Sequence, residues 1–159
     1  MADTPKMILV MRHAEKSTDP DDPDLTQEGR ARAKWLAEFI PEKFGRPGFI
    51  FASAITRHSA RPYETVRPLA KAVGVGIDAT FADNDYGALA KELLSKLKYA
   101  GANVVVCWHH GNIPPLMRSL GATSGDYPNP WDHKVFNLIL QVEFSAGKVS
   151  VTKVTEDFS

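Results

Sequence analysis

The sequence holds a single cysteine, Cys107, which excludes an internal disulfide and argues against thiolate zinc sites. Cys107 lies in the apolar run Val104 to Trp108 and reads as an ordinary core thiol. A surplus of charge is also missing: 19 basic residues balance 19 acidic ones. No long-range field then gathers nucleic acid or anionic lipid, and neither is expected as a partner. Long apolar runs are absent as well. The one near the amino end, Met7 to Met11, is five residues and ends at Arg12. That is too short for a signal-peptide core or a membrane span, so a cytosolic location is expected. No Gly-x-x-x-x-Gly-Lys-Ser/Thr loop occurs, and Gly74-Val75-Gly76 lacks the third glycine and the following helix of a dinucleotide loop. His58 and His133 have no ligand spacing and read as surface or packed side chains. His109 and His110 leave an extended strand and are expected to point in opposite directions, which disfavours one shared ion. No metal site and no cofactor is expected.

What is present suits one domain over residues 1–159, since a chain of about 150 residues buries roughly 70% of its unfolded surface in a single core. Met7 to Met11 reads as a strand buried on both faces. Thr26 can cap a helix with apolar positions Ala33, Leu36, Phe39 and Ile40, ended by Pro41 and the Gly45 to Gly48 stretch. Phe49 to Ala52 reads as a second strand. The segment Pro62 to Val73 reads as a helix that Pro68 interrupts or kinks and Gly74 closes. Val75 to Thr80 is a weak third strand, and Leu89, Leu93, Leu94 and Leu97 predict a helix reaching Gly101. Val104 to Trp108, a β-branched run without charge, suits a central parallel strand. A short helix over Ile113 to Leu120 follows, then a hairpin of Val135 to Phe144 and Lys148 to Val154 around Ser145-Ala146-Gly147. The alternation predicts an α/β fold of three αβα layers, with a mostly parallel central sheet and an antiparallel C-terminal hairpin at its edge.

Ligands of open α/β sheets bind beyond the carboxyl ends of the strands. Three segments fall there: Arg12 to Lys16, Ser53 to Arg61, and His109 to Asn112. Together they bring histidines, two or three arginines and a lysine to one edge of a neutral protein. That inventory suits a dianionic phosphate, whose oxygens match arginine forks.

Four motifs then occur in order: Arg12-His13-Ala14-Glu15; Leu25-Thr26-Gln27-Glu28-Gly29 followed by Arg32-Ala33; Arg61-Pro62-Tyr63-Glu64-Thr65; and His110-Gly111-Asn112. They resemble the histidine phosphatase superfamily, also called phosphoglycerate mutase-like, over most of the chain, and within it the small phosphohistidine-phosphatase-like members. The first motif departs from the family's Arg-His-Gly-Glu by alanine in the glycine position. The resemblance implies that His13 is the nucleophile that becomes phosphorylated, that Arg12, Arg61 and His110 hold the phosphoryl oxygens, and that no metal is required. A histidine can attack phosphorus only when neutral and with one ring nitrogen held by a hydrogen bond. Arg57 competes with Arg61 as the phosphate clamp; Arg61 is preferred because only it precedes Glu64-Thr65 correctly. Lys16 could equally reach the phosphate or sit in water.

For the proton donor, many relatives place a glutamate two residues before an Asp-Phe-Gly-like element. Here Asp85-Tyr86-Gly87 puts Asp83 in that position, with Asp85 in reserve. A phosphoamide leaves more readily than an alkoxide and needs less acid help. Mutases of the family are longer, with inserted segments that cover the substrate, whereas few residues remain here between Thr65 and Asn103. Hydrolysis is therefore expected, of a phosphorylated small molecule or of a phosphohistidine-bearing protein. A non-catalytic phosphate-binding module is the alternative of another class. Trp131-Asp132-His133 has no functional reading from sequence.

Overall fold

The computed structural model describes residues 3–159. Six strands form one sheet: β1 (Met7–Arg12), β2 (Phe49–Ala52), β3 (Ile77–Asp78), β4 (Asn103–Trp108), β5 (Leu138–Ser145) and β6 (Lys148–Thr155). Their order is β3-β2-β4-β1-β5-β6. The first four pair in parallel, while β5 runs antiparallel to β1 and β6 antiparallel to β5. Four helices accompany them: α1 (Gln27–Phe44), α2 (Arg61–Val73), α3 (Tyr86–Ser95) and α4 (Ile113–Ser119).

Side-chain alternation along the strands builds two apolar layers. Leu9, Met11, Ile50, Val105 and Cys107 pack with Leu36, Ile40, Val66 and Leu69 of α1 and α2. Ile8, Val10, Phe51, Val106 and Trp108 pack on the other face with Leu89, Leu93 of α3 and Leu116, Met117 of α4. The two helix pairs thus leave toward opposite faces, and a crevice opens at the carboxyl ends of β2, β4 and β1, which are neighbours. Cys107 is fully buried, and burial pushes its thiol far up, so it stays an inert core group.

Several boundaries differ from the sequence expectation. Pro41 does not end α1, nor does Pro68 interrupt α2; each lies inside a continuous helix. A proline removes one backbone donor, and here apolar side chains on both sides of it hold the helix to the sheet. The last turn of α1 is closed by Gly45 N–H donating to the Pro41 carbonyl at 3.0 Å, and Asn103 Nδ2 donates to the Phe44 carbonyl at 3.3 Å. The third strand shrinks to Ile77–Asp78. Helix α3 stops at Ser95, and one 3-10 turn, Leu97–Tyr99, follows. Leu97 is 69% exposed and Tyr99 takes the core position instead, its hydroxyl donating to Glu92 Oε2 at 2.8 Å. Strand β5 begins at Leu138 rather than Val135 because the Val135 carbonyl serves other donors: Trp131 Nε1 at 3.0 Å and Arg12 at 3.4 Å. At the hairpin turn both Ala146 and Gly147 take positive φ, 51° and 77°.

Candidate active site

Above the crevice lies a cavity of about 470 Å³, lined among others by Arg12, His13, Lys16, His58, Arg61, Asp83, His109 and His110. A larger cavity of about 600 Å³ sits at the opposite end of the sheet, near Phe144 and Val149, and no histidine lines it. Chemistry therefore selects the smaller one.

His13 extends β1 by one ladder bond, its N–H donating to the Trp108 carbonyl at 3.2 Å. The side chain is only 2% exposed. Its Nδ1 lies 2.7 Å from the Ala14 carbonyl, an acceptor, so this nitrogen carries the proton and the Nε2 lone pair is left free. Burial lowers the pKa to about 2, with Arg12, His109 and Arg61 adding to the effect and the Ala14 bond opposing it. The imidazole is thus neutral at ordinary pH.

Two guanidinium groups face the same space. Arg12 is 3% exposed and its position is fixed from behind: it donates to the carbonyls of His133 at 2.6 Å and Val135 at 3.4 Å, and stacks on Phe136 with its carbon 4.0 Å from the ring centre. Arg61, at the start of α2, is 8% exposed and donates to the Asp22 carbonyl at 2.7 Å. Among the described residues neither forms a salt bridge, and the buried Nε atom of each has no hydrogen-bond partner. Burial and the nearby Arg61 charge pull Arg12 down to about 10, still protonated at neutral pH. Buried, unpaired cationic donors are costly unless an anion completes them.

The other sequence candidates separate. Asp83 lines the cavity with its Oδ1 buried and unpartnered, and its carbonyl accepts from Trp108 Nε1 at 2.8 Å and Asn112 Nδ2 at 3.3 Å. Burial raises its carboxyl pKa, with Asn112 opposing. Asp85 is exposed at the start of α3 and lies outside the lining. Arg57 is also outside it. Thr56 and Ser59 close on each other through two backbone bonds of 3.0 and 3.2 Å, which leaves Arg57 exposed at the tip of the turn. His58, read from sequence as surface or packed, is exposed yet lines the cavity, as does Lys16.

His109 and His110 both line the cavity, contrary to the expected opposition, because the chain leaves the extended conformation and enters a 3-10 turn at His110. His109 is the ring that meets His13, edge to face with centres 5.5 Å apart. Burial, Arg61, Arg12 and Lys16 lower its pKa to about 4. His110 is also lowered, by burial first and then Arg12. From the sequence His109 falls in the segment beyond the strand ends but carries no role of its own besides a disfavoured metal ligand; its place directly after the strand is the signal that marks it. The carbonyls that hold Arg12 carry no side-chain signature at all.

The remaining motif residues brace the site. Thr26 caps α1, accepting from Gly29 N–H at 3.1 Å, and its own N–H donates to the Glu15 carbonyl at 3.0 Å. A Cβ on Gly29 would stand 2.5 Å from that Glu15 oxygen, so only glycine lets α1 approach so closely. Arg32 grips Glu15 through Nε at 2.9 Å and one terminal nitrogen at 2.8 Å, and reaches buried Glu156 at 3.0 Å. Thr65 accepts from Ala14 N–H at 2.9 Å and donates to the Arg61 carbonyl at 2.8 Å, tying the His13 loop to the Arg61 helix. Glu64 accepts from Leu25 N–H at 2.8 Å.

Comparison with known proteins agrees with this geometry. The family model for branch 1 of the histidine phosphatase superfamily matches residues 8–98. Among solved structures, the protein histidine phosphatase SixA complexed with tungstate superposes with a TM-score of 0.69 at 15% identity, covering 94% of this chain and 96% of its own. The phosphoserine phosphatase of Entamoeba histolytica in complex with phosphoserine gives 0.60 at 15% identity, with 95% and 96% covered. A mycobacterial glucosyl-3-phosphoglycerate phosphatase with inorganic phosphate gives 0.58 at 15%, with 97% and 98% covered. At such identities the likeness is one of fold. Among curated proteins none matches the chain in sequence. No helix among the described residues is long and apolar enough to cross a membrane.

Proposed function

The chain belongs to branch 1 of the histidine phosphatase superfamily, and from that membership we propose that it is a phosphatase that hydrolyses phosphomonoesters through a phosphohistidine formed on His13. The observation that carries this reading is the pair of buried, unpartnered Nε atoms of Arg12 and Arg61 in the wall of the cavity that holds a neutral His13. A phosphoryl group is the ligand that satisfies both forks at once. Similar solved structures hold tungstate, phosphoserine and inorganic phosphate.

In the first step the Nε2 lone pair of His13 attacks phosphorus, an N–P bond forms and the P–O bond to the leaving group breaks. Asp83, whose carboxyl pKa burial raises, serves as the acid and gives a proton to the departing oxygen. Arg12, Arg61, His109 and His110 supply donors to the equatorial oxygens, where charge concentrates in the transition state. In the second step water attacks the phosphohistidine, Asp83 takes its proton, and the N–P bond breaks to release phosphate and restore His13. A phosphoamide such as phosphohistidine on a protein is the other substrate this sequence of steps accommodates.

The test is hydrolysis of an aryl phosphate in the presence of a chelator by the unaltered protein and by His13→Ala. The proposal expects activity in the first and none in the second. Undiminished activity in His13→Ala, or activity abolished by the chelator, would overturn it.

A further inference from the structure

Beside the phosphate cavity lies a second cleft of about 300 Å³, which shares His110 and Gly111 with it. Its walls include Pro114 and Pro115 at the start of α4, Tyr127, Pro130 and Trp131. Tyr127 and Trp131 are 6% and 4% exposed, so both rings are packed into the body of the protein. The one fully charged side chain that lines it is Arg118, in the last turn of α4. Arg118 is exposed and makes no ion pair or side-chain hydrogen bond with the described residues, and no carboxylate lines the cleft. Asp83, the proposed proton donor, lines the phosphate cavity, and its carbonyl accepts from Asn112, the residue after Gly111, which both cavities share.

We propose that this cleft receives the leaving group of the substrate, and that Arg118 selects one carrying a carboxylate. The inference rests on the phosphatase reading of the neighbouring cavity. A phosphoryl group between Arg12 and Arg61 has its ester oxygen near Asp83, and the leaving group then passes over His110 and Gly111. Prolines and aromatic rings accept its apolar body, and the uncompensated cation meets a negative end. The volume is at the lower limit for small-molecule sites, which suits a small organic phosphate. It also gives Trp131, unread in sequence, a place in substrate binding. A cation near the carboxyl end of α4 is favourable on helix-dipole grounds alone; the two roles differ in their response to substrate charge.

The experiment compares carboxyphenyl phosphates, meta and para, with the matched neutral carbamoylphenyl phosphates. The proposal expects kcat/KM to favour the carboxylate by about three- to tenfold, the size of a partly exposed charge-assisted contact, and the preference to collapse toward one in Arg118→Gln. No preference in the unaltered protein, or a preference retained in Arg118→Gln, would overturn it. Hydrolysis of all four esters at similar rates removes the subsite and leaves the phosphatase reading standing. If none is hydrolysed, the phosphatase reading fails, and the same pairs are compared by calorimetric binding. A carboxylate preference lost in Arg118→Gln then supports the cleft, and its absence overturns it.

Discussion

Replacing His13 by glutamine should make the fold less sensitive to acid. In the native protein the imidazole is buried with a pKa of about 2, against about 6.5 in an unfolded chain. The folded value lies below the unfolded one, so as pH falls through 6.5 the unfolded chain takes up a proton that the folded protein does not. Stability is therefore full above pH 6.5 and declines below it, by about 1.4 kcal/mol per pH unit from this one group. Between pH 8 and pH 5 the loss is about 2 kcal/mol. Glutamine keeps a donor for the Ala14 carbonyl but cannot titrate. Urea unfolding of both proteins at pH 8 and pH 5, in buffers free of phosphate and followed by tryptophan fluorescence, measures the difference. His109 and the carboxyl groups are common to both proteins and cancel to first order. A native protein that loses about 2 kcal/mol more than His13→Gln agrees with a buried neutral imidazole. Equal losses would mean that His13 is hydrated or charged, and the route of attack by its free Nε2 would fail with it.

The site itself supplies further tests. Asp83→Asn should slow esters of poor leaving groups far more than those of good ones, because only the former need a proton in the transition state; equal slowing of both would remove Asp83 as the acid. Arg61→Ala should weaken inhibition by inorganic phosphate by about tenfold or more, the size of a lost charge-assisted contact, whereas Arg57→Ala, altered at an exposed turn, should change it little; the reverse ranking would misplace the clamp. Gly29→Ala should destabilise the fold by about 1–3 kcal/mol in urea unfolding, since its Cβ collides with the Glu15 carbonyl and the loop carrying His13 must shift; an unchanged midpoint would show that α1 can retreat freely.

How far the fold could be read from the sequence depended on what each segment buries. β1, β2 and β4 lie among other strands with helices on both faces, so their apolar runs, Met7 to Met11, Phe49 to Ala52 and Val104 to Trp108, mark them within a residue. Pro41 and Pro68 read as helix breakers because local geometry alone does not contain the packing that holds a helix across a missing donor. Leu97 kept the helical period yet faces solvent, since Tyr99 filled the core with its ring and tied its hydroxyl to Glu92. In the site, Arg12, His13 and Arg61 were legible as residues that line the cavity, because their side chains stand in the motifs themselves. Their supports were not. The carbonyls of His133 and Val135 that hold Arg12 are backbone groups, and no residue type announces them. Likewise the approach of His109 to His13 depends on the chain leaving its strand for a 3-10 turn, which no period in the sequence records.

The central claim is covalent: phosphorus passes from substrate to His13 before it reaches water. Mixing the protein with an aryl phosphate, quenching in base within the first turnovers and mapping the digest by mass tests it most directly, because a phosphohistidine survives base and is lost in acid. The account predicts one phosphoryl group per chain, on His13, absent after acid treatment and absent from His13→Ala. Turnover with a phosphoryl group on any other residue, or hydrolysis in which His13 stays unmodified at every time sampled, would contradict it.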